Sequence, residues 1–115
     1  MSEDFCQDTF LSIKNMLGGK IDELVEVYIS NARGYIEAIK EGLASGDYSK
    51  VEDAAHPLAS SSSTLGALGF SNVVKKIELI SEADNISDGD LLSLKEMVAG
   101  LPDYFNRVQS FLESQ

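Results

Sequence analysis

Between Lys20 and Ala44 the apolar side chains fall at Ile21, Leu24, Val25, Tyr28, Ala32, Ile36, Ile39 and Leu43, three or four positions apart for most of the segment. At about 100° per residue this spacing draws one stripe along a helix, whereas the two-residue period of a strand would scatter the same residues over both faces. A long helix with a single apolar face is not stable in water by itself, so other segments of the chain must cover that stripe. The rest of the sequence supplies them.

Phe5 to Leu17 places Phe10, Ile13 and Leu17 on one face and stops at Gly18-Gly19, where glycines free the chain to turn. After the long segment, Ser45-Gly46-Asp47 interrupts the pattern, and Asp47 is placed to cap a third helix running to about Leu68. Gly69-Phe70-Ser71 reads as the next corner, with Ser71 as the cap of a fourth helix carrying Val73, Val74, Ile77 and Ile80. Ala83 to Asp90 is polar and reads as a loop. A last helix, from about Asp90 to Glu113, aligns Leu91, Leu94, Val98, Leu101, Phe105, Val108 and Leu112, and Pro102 is expected to kink or split it. Nothing reads as a strand bounded by hairpin turns. The spacing therefore predicts an all-α fold, an antiparallel four-helix bundle with a short additional N-terminal helix, and residues 1–115 read as a single domain.

Charge narrows the function. With 9 Lys and Arg against 19 Asp and Glu the net charge is −10, which argues against nucleic acid or an anionic membrane surface as partner, since both are bound through clustered cations. No stretch approaches the roughly 18 apolar residues of a membrane helix, and the start, MSEDFCQDTF, lacks the basic and apolar regions of a secretory signal, so the expectation is a cytoplasmic protein. One cysteine, Cys6, cannot form an internal disulfide, and one histidine leaves no usual zinc-ligand set.

That histidine, His56, stands out by its setting. Val51, Ala55, Leu58, Ser62 and Leu65 cluster on one side of the third helix and should face the core, and His56 falls outside that arc. Its small neighbours Ala59, Ser60, Ser63 and Ala67 read as a flat exposed patch, a docking surface on which a second protein could approach the ring; Glu52 and Asp53 lie one turn behind. A lone surface histidine, however, more often carries no function.

The string Ala55-His56-Pro57-Leu58-Ala59-Ser60-Ser61-Ser62-Ser63-Thr64-Leu65-Gly66-Ala67, with Ile77-Glu78 beyond it, resembles the signature of histidine-containing phosphotransfer (HPt) domains. Ala55, His56, Leu58, Ser61, Ser62, Gly66 and Ala67 match the family pattern, and Gly46-Asp47 ahead of them is also similar. The resemblance implies a four-helix bundle whose exposed histidine, His56, carries a phosphoryl group between receiver-domain aspartates in two-component phosphorelays. It implies that Glu78 hydrogen-bonds and orients the imidazole. It implies response-regulator receiver domains and a hybrid sensor kinase as partners, no cofactor in this chain, and Mg²⁺ only in the receiver. The sequence departs from the signature at Ala59, where the family usually has lysine, and at Ser60, where it has glycine; Pro57 directly after the histidine is also unusual and should bend the helix. Lys75 and Lys76 on the next helix are candidates to compensate for the missing lysine, although exposed solubilising charges are their commoner role. An adaptor that binds a receiver without transferring phosphate is the alternative reading, favoured by Ala59 and Pro57.

Other motifs fail on chemistry. Asp84 to Lys95 has Asp88, Gly89 and Asp90 in calcium-loop positions, but Ile86 replaces an oxygen ligand and Lys95 stands where a bidentate glutamate is required. Ser60 to Ser63 sit in no Gly-x-Ser-x-Gly elbow, and the sequence holds no phosphate-binding glycine loop, so the expectation is no kinase activity of its own.

Overall fold

The computed structural model describes residues 4–115. Five α-helices follow one another: α1 (Gln7–Leu17), α2 (Ile21–Ser45), α3 (Tyr48–Thr64), α4 (Leu68–Ser81) and α5 (Asp88–Glu113), with a 3₁₀ turn at Gly18–Lys20 joining the first two. The last four form the antiparallel bundle and α1 is the short additional helix. Among the described residues there is no strand.

The stripes meet as the spacing demands. Ile36, Ile39, Val51, Leu58, Phe70, Ile77, Leu94, Leu101 and Phe105 are all buried in one core. Phe70 is central, with its ring centroid 5.4 Å from that of Tyr104 and 5.6 Å from that of Phe105 on α5. On α1, Phe10 packs edge-on against Phe111 near the end of α5, and Phe5 stacks on the same ring at 4.7 Å between centroids.

Two corners fix how closely the helices approach. α2 ends at Gly46 with φ 73°, a left-handed conformation that glycine adopts without strain, and Asp47 then accepts from the Lys50 amide to cap α3. Between α3 and α4, Gly66 has φ 89° and its carbonyl accepts from the Cys6 amide at 2.7 Å. A Cβ at this position would collide with the Cys6 carbonyl oxygen. The segment ahead of α1 is thereby tied to the α3–α4 corner, and the Gly69 amide donates to the Asp4 carbonyl alongside it.

Four boundaries differ from the sequence reading, the first being α1, which starts at Gln7 rather than Phe5. α3 stops at Thr64 rather than near Leu68, because the left-handed Gly66 turns the chain earlier. α4 starts at Leu68 with Ala67 as its cap, so Ser71 is not a cap; it is a buried residue one turn inside, and its hydroxyl donates to the Ala59 carbonyl of α3 at 2.7 Å. α5 starts at Asp88, capped by Ser87. Pro102 does not split α5, since Leu101 and Phe105 on either side are fully buried and hold both halves against the core. α3 likewise continues through Pro57.

Candidate functional site

The site is built on α3, whose geometry follows from what lies beneath it. Ala54, Ala55, Leu58 and Ala59 are buried, so the opposite side of the helix, with Asp53, His56 and Ser60, faces solvent. On the core side of α3, the Tyr28 hydroxyl of α2 meets the Ser62 hydroxyl at 2.6 Å. Burial pushes the Tyr28 phenol up to about 12, with the Ser62 bond pulling it slightly back. The four-serine run is thus divided by the helix: Ser62 locks α3 to α2, Ser61 bonds back to the Pro57 carbonyl at 2.9 Å, and Ser60 stays exposed.

The imidazole of His56 is 74% exposed, and its Nδ1 lies 2.7 Å from Oε2 of Glu78, which is only 17% exposed against the α3–α4 seam. An ionised carboxylate can only accept, so Nδ1 carries the proton in this contact, and in the neutral ring the lone pair is on Nε2. The exposed imidazole and the partly buried carboxylate come from different helices, brought together by packing of α4 on α3. His56, Ala59, Ser71 and Glu78 form one continuous seam.

The flat patch around the histidine is smaller than the sequence implied. Ser60 is exposed and Ser63 half-buried, as a surface position requires, but Ala59 is 2% exposed and Ala67 not at all, so neither belongs to a docking surface. Ala59 lies on the flank that α4 covers, and its carbonyl is engaged by Ser71. Ala67 lies beyond the end of α3, in the corner, where projection along a continuing helix no longer applies. In exchange, the structure adds a shallow groove on the other side of α3, lined by Leu24, Val27, Asn31 and Tyr35 of α2 and by Pro57 and Thr64 of α3. Val27, 56% exposed, is the one sequence signal for it, an apolar residue outside the stripe of α2.

Acidic groups surround the site. Glu52 is half-buried and Asp53 exposed one turn before His56, and Glu82 is exposed one turn after Glu78. Lys75, one turn before Glu78, is exposed. Among the described residues no group of three or more His, Cys, Asp or Glu side chains could hold a metal ion, and no helix is long and apolar enough to cross a membrane.

The all-α bundle thus offers one imidazole, hydrogen-bonded to a carboxylate, on an open helix face. A sequence model of the Hpt domain family matches residues 23–111. The chain belongs to the Hpt domain family, and at that level it is a histidine phosphotransfer protein of the phosphorelay type. Among solved structures, histidine-containing phosphotransfer protein B (HptB) from Pseudomonas aeruginosa PAO1 is similar with a TM-score of 0.85 at 15% sequence identity, over 99% of this chain and 95% of that one. At that identity the likeness speaks for the fold. No curated protein sequence matches the chain.

Proposed function

We propose that the protein relays a phosphoryl group through His56 between receiver-domain aspartates, those of a hybrid sensor kinase and of response regulators. The observation that carries this reading is the Glu78 carboxylate on Nδ1 of an exposed ring, within a chain of the Hpt domain family. Nε2 attacks the phosphorus of a phosphoaspartate in line with the leaving carboxylate oxygen. The N–P bond forms as the P–O bond to the aspartate breaks, and Nδ1 keeps its proton in the bond to Glu78. In the second half the same steps run in reverse onto another aspartate.

This chain contributes the nucleophile, its orientation and a docking face formed by Ser60, Ser63 and the α2–α3 groove. Mg²⁺ belongs to the receiver's acidic pocket, where it would neutralise charge on the transferring oxygens, and this chain uses no cofactor. The cytoplasm is the compartment that goes with such partners.

The test is incubation with a panel of phosphorylated receiver domains, followed by detection of acid-labile phosphate on wild type and on His56→Ala. Phosphate on the wild type alone supports the relay. Phosphate retained by the variant refutes His56, and receivers that bind tightly without ever transferring would make the protein an adaptor.

A further inference from the structure

The relay reading places a dianionic phosphoryl group on Nε2 of a ring that Glu78 contacts, with Glu52 and Asp53 one turn before it on α3 and Glu82 one turn beyond Glu78 on α4. Like charges at such spacing oppose the phosphorylated state. Asp53 leans toward α2, where it shares a surface groove with Lys50, and Lys50 is itself paired with Glu41 at 2.9 Å. The α2 residues that border Pro57, Asn31 and Tyr35, carry no charge. On the α4 side the balance falls to a single cation.

Two cross-helix bonds fix the register of α3 against α4: His56 to Glu78 and Ser71 to the Ala59 carbonyl. Lys75 lies between Ser71 and Glu78, one turn from each, so on a helix it shares their flank and stands level with His56 across the seam. Lys76 points about 100° further round, toward the groove it lines with Leu79, Ile80 and Met97 on the α5 side. Among the described residues Lys75 is exposed and takes part in no ion pair. We infer that Lys75 is the charge-compensating residue of the site, its ammonium resting against the phosphoryl oxygens on His56 and offsetting the carboxylates around them. This inference rests on the relay reading and adds to it the group that holds the phosphorylated state.

Phosphoramidate, a small donor that needs no partner protein, separates the two. Nε2 attacks its phosphorus, the N–P bond to the leaving nitrogen breaks, ammonia departs, and Nδ1–H remains on Glu78. The rate is followed on wild type, Lys75→Gln, Lys75→Arg and Lys76→Gln, and ³¹P spectra of the products are titrated with pH. A single exposed ion pair corresponds to a change of about 1.5- to 5-fold, so Lys75→Gln is expected to slow acceptance by that factor. Loss of a neighbouring cation also raises the apparent pKa read from the ³¹P shift, by about 0.2–0.7 unit. Lys75→Arg restores both quantities and Lys76→Gln changes neither. Equal rates and titrations in wild type and Lys75→Gln, or the larger effect in Lys76→Gln, overturn the assignment while leaving the relay intact. Failure of wild type to take phosphate at His56 from phosphoramidate and from every receiver removes both.

Discussion

The Tyr28–Ser62 hydroxyl pair under α3 gives a stability prediction with a built-in pH signature. Tyr28→Phe removes one partner and leaves the fully buried Ser62 hydroxyl without it. At neutral pH the variant is expected to be less stable by about 1–2 kcal/mol, between the net value of one hydrogen bond and the cost of an unsatisfied buried hydroxyl. The wild-type advantage then shrinks in alkali. Tyr28 stays neutral in the folded protein up to about 12, against an ordinary value of 10.0. The stabilising difference is therefore fully present below pH 10 and is lost as pH rises from 10 through 12, because the unfolded chain gains by ionising first. At pH 11 that loss is on the order of 1 kcal/mol, since the unfolded phenol is then mostly ionised and the folded one mostly neutral. Urea unfolding followed by circular dichroism should show the two proteins converging near pH 11. Tyr104, also raised by burial and by Asp4, is common to both proteins and cancels in the difference. Parallel stability profiles from pH 7 to 11 would refute the burial argument, and equal stability at pH 7 would show that Ser62 finds another partner at no cost.

Two further substitutions test the site and its support. Glu78→Ala should slow phosphate acceptance by about 5- to 10-fold, the equivalent of losing roughly 1–1.4 kcal/mol of a charge-assisted hydrogen bond on an exposed ring. Glu78→Gln, which keeps an acceptor for Nδ1–H but removes the charge, should stay closer to wild type; identical rates for wild type and Glu78→Ala would reduce Glu78 to a packing residue. Gly66→Ala places a Cβ on a left-handed residue against the Cys6 carbonyl and should lower stability by about 1–3 kcal/mol, visible as a fall in Tm, whereas an unchanged Tm would mean that the corner relaxes freely.

Helix number, type and most core residues were legible in the sequence because burial of a stripe depends only on spacing along one helix. Periodicity alone assigns Val51, Ala55, Leu58, Ser62 and Leu65 to the core, and all five are buried. Boundaries were less legible. Ser71 satisfied the composition of a cap, but a cap is defined by the backbone at the corner, and the left-handed Gly66 had already turned the chain. Ala59 and Ala67 were misplaced for a related reason, since a helical wheel shows which side faces away from one stripe and says nothing of which flank the next helix covers.

What the sequence determined by itself was an acidic all-α chain, its amphipathic stripes, and a histidine outside the stripe of its helix within an HPt-like string. Only the tertiary structure decided which atoms meet: the Glu78 carboxylate on Nδ1, Ser71 on the Ala59 carbonyl, Tyr28 on Ser62. Those contacts join residues 12 to 34 positions apart, and they depend on the register and rotation of one helix against another. Periodicity specifies a face, whereas register is set by packing of the whole core and by the two glycine corners that let the chain reverse.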